Sequence, residues 1–68
     1  MNSTVEYHII LKDVMRGTQF TLKYKTDTEL KITYDKYKKN NDYEVIGMFC
    51  ISLEIRPIDK SYFDNIIM

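Results

Sequence analysis

One histidine and one cysteine stand in this 68-residue sequence, and they are the side chains best suited to chemistry at neutral pH. His8 is the only neutral-pH proton shuttle. Glu6 lies two residues away, on the same side of an alternating run, and could orient the imidazole. Nothing else about the pair points to a reaction, so the preferred reading is a strand-surface histidine. Cys50 would need a lowered thiolate pKa and a base to act as a nucleophile. Its neighbours Phe49 and Ile51 are apolar, which favours a packed thiol. The ten acids show no D-x-D-x-D-G spacing of a metal loop. Gly17 stands alone and Gly47 lies inside an apolar run, so neither belongs to a phosphate-cradling loop. Gly47 marks a bulge or a close approach of another backbone, with a ligand contact as the less favoured reading. No catalytic residue, metal site or cofactor is expected, and the chain is read as a non-enzyme.

Two stretches could bind instead. Lys31, Tyr34, Lys36, Tyr37, Lys38 and Lys39 interleave cations with aromatic rings, and Lys23 and Lys25 precede them. Nucleobases stack on tyrosines while lysines hold phosphates. Against this, nucleic-acid domains tend to be strongly basic, and this chain is neutral. The bland alternative is a solvated helix face with both rings turned inward. The second stretch is Tyr62, Phe63, Ile66, Ile67 and Met68. Chain ends are usually polar and frayed unless docked. This apolar end is expected to pack on the sheet, to dimerise or to grip a protein partner.

The totals bound the rest. Sixty-eight residues make a single domain, 1–68. A core of this size rarely supplies more than ~3–5 kcal/mol without a staple. One cysteine cannot close an internal disulfide, and one His with one Cys falls short of the four ligands of a structural zinc. Packing of six Tyr and three Phe, or self-association into a homo-oligomer, must supply the remainder. The lone cysteine fits a reducing compartment, Met1 to Glu6 does not read as a signal peptide, and no apolar run in the sequence reaches membrane length. The expected location is cytoplasmic, with no membrane partner. From His8 to Lys39 there are eight basic and four acidic residues, and from Asn40 to Met68 two and five. In size and composition the chain resembles the small accessory proteins of phages and mobile elements, without any family motif.

These residues need elements to position them. Val5, Tyr7, Ile9 and Leu11 alternate with Glu6, His8, Ile10 and Lys12, and Phe20, Leu22 and Tyr24 with Thr21, Lys23 and Lys25. Gly17 between the two runs supplies a turn, so they form an antiparallel hairpin. Thr26 and Glu29 have capping-box spacing, and Leu30, Tyr34 and Tyr37 follow at i, i+4, i+7. Asp35 and Lys39 are spaced as a favourable i,i+4 pair, and Asn40-Asn41 makes a stop. Leu30, Ile32 and Tyr34 also alternate as in a strand, but a helix over Thr28–Lys39 is preferred. Val45 to Ile55 is the long apolar run, expected to be the central strand with Phe49 and Ile51 in the core and an end at Pro57. Asp59 or Ser61 could cap a last short helix. The sum is α+β: a two-layer ββαβ domain, a three-stranded antiparallel sheet of order 2-1-3 with one helix on one face.

The functional expectation is a small non-enzymatic interaction protein that modulates or inhibits a larger host protein by direct binding. The alternative is an oligomeric nucleotide- or nucleic-acid-binding protein that uses the Lys/Tyr segment.

Overall fold

Alternation builds the first layer. The computed structural model describes residues 4–61. β1 (Glu6–Asp13) points Tyr7, Ile9 and Leu11 to one face, and Ile9 and Leu11 are fully buried there. β2 (Thr18–Tyr24) pairs with it antiparallel, placing Phe20, Leu22 and Tyr24 opposite Leu11, Ile9 and Tyr7. The turn between them is set by Asp13, whose carboxylate accepts the amides of Met15 and Arg16 at 3.1 and 3.2 Å. Gly17 closes it at φ 72°, a left-handed conformation that costs glycine nothing.

The second layer is α1 (Asp27–Lys38). Thr26 caps it: its hydroxyl accepts the Glu29 amide at 3.2 Å and lies 3.0 Å from the Glu29 carboxylate. This cap decides the segment in favour of helix over the competing strand alternation. Leu30, Thr33 and Tyr34 are buried against the sheet, while Ile32 stays exposed on the opposite side. Lys39 forms the C-cap and the Asn40 amide returns to the Tyr37 carbonyl. Asp35 pairs with Lys31 at 2.7 Å and Lys38 at 3.5 Å, rather than with the expected Lys39.

β3 (Tyr43–Ile51) runs antiparallel to β1, as a strand entered from one helix after a hairpin is expected to. Its core residues differ from expectation. Val45 and Met48 are both buried on the helix side, although three positions apart. A regular strand forbids this, because successive side chains alternate. The register explains it: Leu11 faces Val45 and the adjacent Ile10 faces Gly47, so Ile46 has no partner. A bulge at Ile46-Gly47 therefore shifts the alternation by one. Phe49 and Ile51 consequently turn to the face away from the helix and are only half-buried.

The expected three-stranded sheet is also corrected. The apolar run breaks at Ser52-Leu53-Glu54, where the Ser52 amide donates to the Glu54 carbonyl at 3.0 Å. The chain then returns as β4 (Ile55–Ile58), antiparallel to β3, and the sheet order is β2-β1-β3-β4. Pro57 sits inside this strand instead of ending the previous one. It is tolerated because an edge strand leaves one side of its backbone without a ladder partner. Beyond β4, Lys60 and Ser61 are helical and Asp59 accepts the Ser61 amide at 3.0 Å. This bond holds the Asp59 carboxyl below its ordinary value. The rest of the anticipated last helix lies outside the described residues.

The core thus comprises Ile9, Leu11, Leu30, Tyr34, Val45 and Met48, sandwiched between α1 and one face of the sheet.

Candidate functional site

The other sheet face has no layer over it among the described residues, and it is chemically divided. Cross-strand partners share a face. Toward β2 it presents Lys12, Gln19, Thr21 and Lys23. Toward β4 it presents Phe49 opposite Pro57 and Ile51 opposite Ile55. Ile55 is 70% exposed, and Leu53 in the adjoining turn is 93% exposed. Ile46, set outward by the bulge, is exposed as well. Gly47 belongs to the same surface: a Cβ there would lie 3.4 Å from the Phe49 ring. The close neighbour expected at Gly47 is therefore this ring, lying beside the bulge, and not another backbone.

His8 stands at the seam between the polar and apolar halves, with Lys23 on one side and Phe49 on the other. Its Nε2 lies 3.9 Å from a Glu6 carboxylate oxygen, as the i,i+2 spacing implies. This is too long for a hydrogen bond. Nε2 is buried without a hydrogen-bond partner among the described residues. Cys50 lies on the helix face opposite Tyr7, half-buried, and makes no disulfide. Among the described residues no group of His, Cys, Asp and Glu could hold a metal ion.

The Lys/Tyr segment is organised inward. Tyr34 is buried in the core. Tyr37 is half-buried and meets Tyr43 edge-on at 5.0 Å, while Phe20 approaches Tyr43 at 6.0 Å. The Lys36 and Lys38 ammonium groups lie 5.5 and 5.1 Å from the Tyr37 and Tyr34 ring centroids. Lys31 is largely buried along its stem and is tied to Asp35. Lys36 and Lys39 stay exposed. The rings thus serve packing and cation–π contacts, and little ring face is left for a stacked base. The five residues Tyr62, Phe63, Ile66, Ile67 and Met68 of the apolar end lie outside the described residues.

Sequence reasoning missed Leu53, Ile55 and Pro57 as a surface feature. The alternation of Ile51, Leu53 and Ile55 imitated one continuous strand and concealed the turn. The available signal was Pro57, whose presence demotes a run to an edge strand.

Comparison with protein-family models, with curated proteins and with solved structures finds no match to this chain. No helix among the described residues is long and apolar enough to cross a membrane.

Asp35 gives a pH prediction. Its hydrogen bond from Lys31 holds the carboxyl below its ordinary value of 3.8, with Lys38 adding to the effect. A carboxylate with a lowered folded-state pKa stabilises the fold above its unfolded pKa, and that contribution is lost as pH falls through the folded value. Stability should therefore decline as pH falls below about 4. Asp35→Asn should flatten this part of the acid limb, measured by urea midpoints across a pH series. An unchanged acid limb would assign the decline to other carboxylates.

Proposed function

We propose that this protein acts by contact, as a small non-enzymatic interaction protein that binds and modulates a larger host protein. The observation that carries this reading is the apolar half of the helix-free face: Phe49, Ile51, Ile55 and Pro57, continued by Leu53. Contiguous exposed apolar surface on a small protein marks an interaction site more often than it serves the fold. The cytoplasm is the compartment we assign, where a single unpaired cysteine stays reduced. In size and composition the chain resembles the small accessory proteins of phages and mobile elements, which suits this reading. The nucleotide or nucleic-acid reading draws less support, because Tyr34 is in the core and Tyr37 is committed to Tyr43.

The test is Leu53→Lys with Ile55→Lys, two exposed positions whose replacement leaves the core untouched. Far-UV circular dichroism and the melting curve should stay close to wild type. Capture of a host protein by immobilised wild-type chain should be lost with the double variant. Undiminished capture would remove this face as the contact surface. Capture of RNA in place of protein, abolished by Lys36→Glu and Lys39→Glu, would favour the alternative.

A further inference from the structure

The two edges of the sheet are not alike. β4 is four residues long and carries Pro57 and Arg56, features that discourage a further strand. β2 is seven residues long, with the sequence Thr-Gln-Phe-Thr-Leu-Lys-Tyr and no proline or bulge. Lys23 is its only charge. An edge of this kind is a template for pairing.

The backbone direction of that edge can be read from its neighbours. The Asp13 carbonyl accepts from Gly17 at 2.7 Å, so it points toward β2. The Val14 amide donates to the Asp42 carbonyl at 3.0 Å, so it points toward the β3 side. Successive residues of a strand alternate in this way. Asp13, Leu11, Ile9 and Tyr7 thus direct their backbone groups to β2, and their partners Thr18, Phe20, Leu22 and Tyr24 answer them. The amides and carbonyls of Gln19, Thr21 and Lys23 are left pointing outward along the free edge.

We propose that β2 is the self-association edge of this protein. It pairs antiparallel with β2 of a second copy about a two-fold axis at Thr21, extending the sheet continuously through both copies. In this register Thr21 faces its own counterpart and Gln19 faces Lys23 of the second copy. Every outward backbone group of these residues then meets its complement. The axis is normal to the sheet, so both helices lie on the same side. Phe20 and Leu22, both only partly buried in one copy, face each other across the seam on that side. The second copy is favoured as occupant because the edge is self-complementary. The Thr–Thr pair is favourable, and Lys23 meets a neutral glutamine instead of another lysine. Edge pairing buries little surface, so the dimer is weak and concentration-dependent. This proposal is independent of the contact face, which lies toward the opposite edge.

The register makes a two-sided test. Gln19→Glu sets a carboxylate opposite Lys23 of the second copy, twice per dimer. Gln19→Lys sets like charges there, also twice. Sedimentation equilibrium at low salt should show the first tightening and the second weakening the dimer, each by about two- to tenfold. Thr21→Pro removes an outward amide and no bond to β1. It should yield a folded monomer with a wild-type circular dichroism spectrum. Hydrogen exchange should show the Gln19, Thr21 and Lys23 amides protected at high concentration and released on dilution. Leu53→Lys with Ile55→Lys should leave all of this unchanged, which separates the edge from the face. A monomer at every concentration would overturn the proposal. So would a dimer indifferent to the charge at position 19, or protection of these amides only on addition of another protein.

Discussion

Met48→Ala should leave most molecules unfolded at room temperature, whereas Phe49→Ala should be clearly milder. Met48 is 1% exposed and packs with Ile9, its cross-strand partner, beneath Leu30 and Tyr34. Removing a buried Met side chain costs about 2–5 kcal/mol, the lost transfer energy plus the cavity left behind. A domain of this length without disulfide or metal has roughly 3–5 kcal/mol to lose. Phe49 lies one residue on but faces away from the helix and is half-buried. Its truncation removes contact with Pro57 and Gly47 and opens no enclosed cavity. Urea melts of both variants would measure the difference. If Phe49→Ala proved as damaging as Met48→Ala, the supposedly open face must be covered, and the contact reading would lose its main support.

The contrast between these neighbours shows how far the sequence was legible. Where one signal dominates, the reading matched the structure. Tyr7, Ile9 and Leu11 mark one apolar face despite Ile10 between them, and Thr26 with Glu29 fixes the start of α1 to within a residue. The central strand expected over Val45 to Ile55 exists, but it starts at Tyr43 and ends at Ile51, and its faces differ from expectation because periodicity carries no information about an unpaired residue. Ile46 looks like any other strand isoleucine. Only the pairing of Ile10 with Gly47 and Leu11 with Val45 shows that it stands outside the count. Gly47 was the sole local hint. Beyond it, Ser52 to Glu54 continue the alternation through a turn, so β4 was merged into β3. The Lys/Tyr segment is weaker as a binding signature than its composition suggests, for a related reason. Composition places lysines next to tyrosines, but the helix angle decides which rings reach solvent, and Tyr34 shares a turn with Leu30. Asp35 chose Lys31 and Lys38 over Lys39 because Lys39 is the C-cap, no longer within the helix.

Deleting single residues from β3 should produce opposite outcomes at two nearby positions. Removal of Ile46 should give a folded protein, while removal of Phe49 should abolish the fold. Without Ile46, Val45 and Gly47 become adjacent and still face Leu11 and Ile10, so the ladder turns regular. Val45, Met48 and Cys50 keep the helix side. The losses are a 43% exposed isoleucine and the local twist that the bulge adds. Without Phe49, every residue after Met48 slips by one, and a one-residue slip sends each side chain to the other face. Cys50 would leave Tyr7 for His8, Ile51 would turn toward the helix, and the β3–β4 pairs would need to re-form. Thermal melts followed by far-UV circular dichroism should show a cooperative transition for the Ile46 deletion and none for the Phe49 deletion. Equal loss of structure in both would mean that the bend at Ile46-Gly47 is required to seat β3 under α1, and that the sheet has no regular alternative.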